Sequence, residues 1–288
     1  MHPINRRGFT LVELVVVLGL MGVVLGALYQ SILATQRATS WQFQRIDLQQ
    51  TTRAAALYLT NMMRELDAAE GDIYQSQATL MRFRAMRWTG ILCTLPFETA
   101  GQVQFTIRGD LLYGVRGPDA ALDSILLWRE GDPTIRTDDV WLMGGLHSSA
   151  AGVCPADGSA GSTLRVVFTA ASGGNAAATA GTTVGSPLRG FEVEELSLYP
   201  QGGDYWLGRR TAGRTGVWTT ARPLVGPLLS DGLSFSYLDA AGAPPALTTG
   251  IASIALTVRG RSRRQVAGIG YMQDSIVTRV TLRNNARF

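Results

Sequence analysis

The sequence contains no lysine; all of its positive side chains are arginines. Chemistry built on a lysine amine, such as a P-loop or a Schiff base, is therefore excluded. Histidine is scarce as well, with only His2 and His147, and no G-x-S-x-G accompanies them. A Ser-His-Asp hydrolase set is not expected; His147 lies in Gly144-Gly145-Leu146-His147-Ser148-Ser149, which reads as a loop. There are two cysteines, Cys93 and Cys154. With so few histidines, and far apart in sequence, they do not form a zinc pattern. They read either as buried thiols or, in an extracytoplasmic body, as a disulfide. Charge is sparse: 17% of residues, net +4, with two of the positive charges at Arg6 and Arg7. That balance carries no nucleic-acid footprint. The sequence gives no reason to expect an enzyme or a cofactor.

What is abundant is glycine, 33 residues, together with threonine, serine and valine. This composition favours a β-rich, loop-rich body over a helical bundle. The other prominent feature is an apolar run from Phe9 to Leu28 that is interrupted by Glu13. Residues 14–34 are 21 in number; as a helix they would span about 31 Å, enough for a bilayer core. A secretory signal peptide is one reading of this segment. The small residues that signal peptidase needs are poorly placed, since Val24-Leu25-Gly26 lies inside the run. A plain membrane anchor is a second reading, with Arg6 and Arg7 holding the N-terminus in the cytoplasm. It leaves Glu13 without a purpose, although a carboxylate at the edge of hydrocarbon is costly and marks function.

The stretch Gly8-Phe9-Thr10-Leu11-Val12-Glu13 resembles the processing site of type IV prepilins and pseudopilins. In that family a short basic leader ends in Gly, a membrane-embedded prepilin peptidase cuts after it, and the new N-terminal Phe is methylated. The fifth residue of the mature chain is Glu. The resemblance implies a leader over 1–8, cleavage between Gly8 and Phe9, N-methylation of Phe9, and an assembly role for Glu13. The physics agrees: an amine freed in an apolar setting is costly unless an opposite charge offsets it. Glu13 of one subunit would neutralise the amine of a neighbour and so fix the filament register. The bland reading is that Glu13 only caps the helix, where negative charge is mildly favoured. Gly22 and Gly26 form a small-xxx-small pair that permits close helix contact, or simply reflect glycine's frequency in membrane helices.

Beyond Ala34 the pattern turns amphipathic. Trp41, Leu48, Ala55, Leu59, Met62 and Leu66 fall on one helical face. No proline occurs from Phe9 to Ala69, so the expectation is one helix over 9–70, about 60 residues long and ending near Gly71. Residues 14–34 would cross the membrane and 35–70 would pack on a head formed by 71–288. The head reads as β. The clearest hairpin is Val103, Phe105 and Ile107, a turn at Gly109-Asp110, and a return through Leu111, Tyr113 and Val115. Further strands are expected at 80–88, 124–129, 140–143, 164–169, 191–199, 205–210, 233–238, 251–259 and 275–283. Residues 170–187 read as a flexible surface loop. Arg261, Arg263 and Arg264 read as a basic hairpin turn, solvated or facing an acidic partner. The fold class is therefore α+β and pilin-like: a long helix packed on an antiparallel head.

Weaker likenesses point to the larger minor subunits, the W-type pilins and the J-type pseudopilins. They are the head's length, Val193-Glu194-Glu195-Leu196-Ser197-Leu198-Tyr199 with Tyr205-Trp206-Leu207, Leu233-Ser234-Phe235-Ser236-Tyr237-Leu238-Asp239, and the closing Val280-Thr281-Leu282-Arg283-Asn284-Asn285. They imply a minor subunit acting in assembly initiation or at the filament end. Its partners would be prepilin peptidase, other pilins or pseudopilins, and the inner-membrane assembly platform. The system could serve a pilus, type II secretion or DNA uptake. Some pseudopilins bind calcium, but Glu130, Asp132, Asp138 and Asp139 do not have EF-hand spacing and read as a solvated loop. Trp206, Trp218, Tyr199 and Tyr205 read as packing groups, or as a sugar- or surface-binding patch. The alternative to a filament subunit is a membrane-anchored adhesin or binding domain outside any filament.

Overall fold

The computed structural model describes residues 10–132, 134–135, 138–266 and 270–282. Two compact units emerge: residues 1–50 with 261–274, and residues 51–260 with 275–288. The helix α1 (Leu11–Arg64, 54 residues) begins in the first and ends in the second. It stops seven residues short of the expected end at Gly71. The cause is local: Asp67 accepts the Glu70 N–H, Asp72 Oδ2 accepts the Asp67 N–H at 2.9 Å, and Gly71 turns with φ +79°. An aspartate that bonds nearby backbone offers the chain an alternative to the helical ladder.

The strands are β1 (Ile73–Ser76), β2 (Leu80–Ile91), β3 (Phe97–Thr99), β4 (Gln102–Arg108), β5 (Tyr113–Gly114), β6 (Ser124–Arg129) and β7 (Val140–Val153). There follow β8 (Ala160–Phe168), a short helix α2 (Gly174–Ala180), β9 (Pro187–Gln201), β10 (Asp204–Ala212), β11 (Arg222–Leu238), β12 (Ser253–Arg261) and β13 (Gln273–Thr281). The described strand pairings are antiparallel. The α+β expectation holds, with all the strands in one branched sheet.

The branch is at β9. One of its edges pairs with β2 from Pro187 to Ser197. The other pairs with β6 over Leu188–Phe191 and with β10 over Val193–Gln201. On the β10 side the order runs β10-β11-β12-β13. There α1 supplies Ala55, Leu59 and Met63, all fully buried, against Phe83, Leu196, Leu207 and Phe235. On the β6 side the order runs β6-β7-β8-β4, and β4 returns to β2 through the Leu92–Ile107 bridge. Cys93 adds a backbone bond to Thr106. The circuit β2-β9-β6-β7-β8-β4 is thus a small closed barrel, filled by Trp88, Phe105, Ile125, Leu127, Leu164 and Val166. The Cys93–Cys154 disulfide, with Cα atoms 5.5 Å apart, joins the end of β2's extension to the residue after β7.

Three expectations are corrected. The 103–115 hairpin does not form: β4 gives its edges to β8 and β3, and Tyr113 and Gly114 cross to Thr89 and Trp88 of β2. Tyr113 and Val115 are 62% and 80% exposed, so their alternation marked no buried face. Residues 170–187 hold a 3-10 turn and α2, whose Ala178 is fully buried in the barrel core. Alanine there forms helix because it loses no side-chain entropy. His147 is on a strand rather than in a loop. It is the extra residue of a β-bulge between Leu146 and Ser148.

Candidate functional site

Gly8, Phe9, Arg6, Arg7 and His2 lie outside the described residues, as do Arg283, Asn284 and Asn285. Glu13 is described, in the first turn of α1. Its Oε2 accepts the Thr10 N–H at 3.0 Å and the Thr10 hydroxyl at 3.2 Å, while the Glu13 N–H donates to Thr10 Oγ1 at 3.3 Å. This is a capping box, which satisfies two of the donors that every helix start leaves open. Thr10-x-x-Glu13 is its sequence signature, and the expectation for Glu13 as a charge partner had passed over it. The two roles are compatible. The capping bonds use Oε2 and fix the carboxylate beside the helix start.

Past the cap, α1 exposes its apolar side chains all round. Leu11, Val12 and Leu14–Leu18 are each more than 50% exposed, as are Leu20, Met21, Val23–Leu25, Leu28, Tyr29 and Ile32. Gly19, Gly22 and Gly26 have nothing within 4 Å of where a Cβ would stand. An apolar surface of this size is stable only in lipid or against other helices. The stretch is long and apolar enough to cross a membrane.

A second concentration of chemistry lies on β9. Its even residues Leu188, Gly190, Glu192, Glu194 and Leu196 share one face. Leu188 belongs to the barrel core and Leu196 to the helix core. The two carboxylates between them are 7% and 0% exposed. Arg87 meets Glu192 at 3.4 Å and Glu194 at 3.0 Å; Arg209 meets Glu194 at 3.0 Å. Arg116 bridges Glu192 and Asp123, and Asp123 accepts the Trp88 indole N–H at 2.7 Å. Arg87 is the bulged residue of β2, opposite the step between Gly190 and Phe191. The bulge keeps Trp88 on the same face as Phe83, although they are five positions apart. Gly190 is required here, because a Cβ would lie 2.1 Å from the Trp88 ring. Above this face the Tyr58 hydroxyl is pushed up in pKa by burial and by Glu194.

On the opposite face Glu195 receives Arg82 Nε at 2.7 Å and Arg210 Nε at 2.7 Å, its direct neighbours on β2 and β10. Burial alone would raise its pKa, but the two guanidinium groups bring it below the usual value. Both arginines also stack on Trp218, at 4.9 and 4.8 Å. Trp206 stands opposite Tyr199 in register and lies over Gly226. Tyr199 and Trp206 thus face each other across β9 and β10, while Trp218 stacks on the two arginines. Asp132 accepts the Thr134 N–H, and Asp138 and Asp139 accept the Asp132 and Gly131 N–H groups. Among the described residues no group of three or more His, Cys, Asp or Glu is arranged to hold a metal ion.

Residues 4–29 match the family model for the prokaryotic N-terminal methylation motif. No curated protein and no solved structure matches the chain. The motif supplies the N-terminal signal that prepilin peptidase processes in type IV pilins and pseudopilins.

Proposed function

We propose that this chain, which carries the class III signal of type IV pilins and pseudopilins, is a large minor subunit of a pilus or pseudopilus, of the W or J type. It is anchored by one span with its N-terminus cytoplasmic and its head extracytoplasmic, and it acts in assembly initiation or at the filament end. The observation that carries this reading is the junction of the signal with a helix whose apolar face is unpartnered over its first turns. Cleavage after Gly8 frees an amine on Phe9. Glu13, held in place by Thr10, is the charge that offsets the amine of a neighbour. A position at the filament end suits the head. Its second core beside the helix-packed one makes it a large head, in keeping with a minor subunit.

Intact-mass analysis of the mature protein tests the reading. A chain beginning with methyl-Phe9 is expected; a chain beginning at Met1 sinks it and favours an adhesin outside any filament. Glu13→Val separates assembly from anchoring. The variant is expected to insert in the membrane and to lose most of its incorporation into filaments. Normal incorporation would refute the charge-partner role. Thr10→Ala keeps that charge and removes only the two capping bonds of the hydroxyl, so it should reduce incorporation much less.

A further inference from the structure

We infer that Arg263 and Arg264, in the turn that follows β12, dock on anionic lipid headgroups beside the point where α1 leaves the bilayer, so that the unassembled subunit holds the membrane at two places. The inference rests on α1 crossing a bilayer and not on filament membership. Within the first compact unit, Arg263–Val266 lie beside the part of α1 that follows the apolar span. Gln265 and Val266 line a cavity of about 330 Å³ with Leu33, Gln36 and Arg37. Arg263 and Arg264 line an adjoining one of about 580 Å³ with Thr35 and Asp47. The turn therefore reaches back to the last apolar residues of the span. The headgroup zone is roughly 5–8 Å deep on each side of the hydrocarbon, which is about four or five helical residues. Thr35–Thr39 would occupy it, with the turn alongside.

Charge points to the same place. Residues 35–50 and 261–274 hold five arginines against two aspartates. The rest of the chain beyond the span, 51–260 with 275–288, holds nineteen arginines and nineteen acids. The positive excess of everything past the membrane is thus confined to the segment that adjoins it. Arg263 is 62% exposed, with Asp47 at 3.4 Å on one side. Guanidinium forks suit phosphate oxygens, and basic segments next to a membrane are drawn to anionic lipid. Tyr271, 40% exposed, stacks on Arg261 at 4.5 Å. An amphipathic aromatic at this level is characteristic of membrane interfaces. The described ends of this turn are also braced. Ser262, 1% exposed, accepts the Met272 N–H at 3.0 Å and donates its hydroxyl to the Arg264 carbonyl at 2.8 Å. The arginines are presented on a fixed base, in an open groove beside the span, which suits a lipid surface better than a soluble anion.

The test is hydrogen exchange of the full chain reconstituted in vesicles of phosphatidylcholine alone and of phosphatidylcholine with phosphatidylglycerol. Peptides covering 261–274 are expected to exchange several-fold more slowly in the mixed vesicles, and high salt should remove the difference. The double variant Arg263→Glu, Arg264→Glu should abolish it while β9–β11 exchange as before. Should that variant misfold, the salt series on the native chain still decides. Equal exchange in both vesicles overturns the proposal. So does protection of the detergent-solubilised chain by glycerol phosphate, which would make this a soluble-phosphate site. Protection that appears only when other pilin-type subunits are added would make it a protein contact, and overturns it as well. A chain left uncut at Gly8 would defeat the filament reading and leave this outcome untouched.

Discussion

The barrel half and the helix-packed half share β2, β9 and one continuous face of the sheet, yet they bury their apolar residues by different means. The barrel closes on itself: Leu92 bridges to Ile107, the disulfide spans Cys93 and Cys154, and its core draws nothing from α1. The other half is an open run of strands whose core is completed by Ala55, Leu59, Met63 and Leu66 at the end of α1 and just past it. Between them the Glu192 and Glu194 carboxylates interrupt the face, held by Arg87, Arg116 and Arg209. Removing one member of so buried a set would strand the others. One sheet therefore carries two cores that can fail separately. The half nearer α1 depends on that helix, whereas the barrel does not.

The comparison can be broken from either side. The larger effect is expected from Cys93→Ala with Cys154→Ala. A cross-link spanning 61 residues contributes about 4 kcal/mol in the chain-entropy model. Native-state hydrogen exchange should show β4, β7 and β8 losing protection while β10–β12 keep theirs. Leu59→Ala is the opposite cut. Leu59 is fully buried in the helix-packed core, and its truncation should cost about 3 kcal/mol. Protection should then fall in β10–β12 and persist in the barrel. A single cooperative loss across both halves in either variant would refute two separable cores.

Some of this was legible in the sequence and some was not, for physical reasons. The proline-free apolar run gave the helix, and Ser124–Arg129 was read with its observed bounds. Local alternation reports a strand wherever its buried face is regular. It failed at 103–115, because Tyr113 and Val115 alternate on the surface and β4 finds its partners far away, at β8. Barrel closure depends on Leu92 meeting Ile107, and pairing across that distance leaves no local periodicity. Glu192 and Glu194 fell at core-facing positions of β9, a pattern that alternation alone would reject as a half-buried strand. Their arginines come from a bulge, Arg87, and from two other segments, those of Arg116 and Arg209. At the N-terminus the motif Gly8-Phe9-x-x-x-Glu13 was fully readable, while the capping role of Thr10 needed the geometry. The arginines at 261, 263 and 264 were visible as composition, but the place of Arg263 and Arg264 beside α1 was not.

The smallest of the three effects concerns the strand that both halves use. Glu195 bonds Arg82 on β2 and Arg210 on β10, on the face away from Glu194. Burial opposes its ionised form, but the two guanidinium groups overcome that, and its folded pKa lies below the ordinary value of 4.5. A depressed carboxylate pKa adds stability that is fully present above the unfolded value and is lost as pH falls through the folded one. Glu195→Gln keeps the shape and removes the charge, and should cost about 2 kcal/mol at neutral pH. The difference between native and variant stabilities should stay constant above about pH 4.5 and shrink below it. Asp72 works in the other direction: burial raises its pKa, so acidification relieves a cost there. Because Asp72 is present in both proteins, it cancels in the difference. Denaturant unfolding across the acid range measures that difference directly. A gap that widens on acidification would show that burial, and not the arginine pair, governs Glu195. Since Glu195 sits where β2, β9 and β10 meet, its loss should lower protection on both sides of the branch, unlike either of the one-sided cuts.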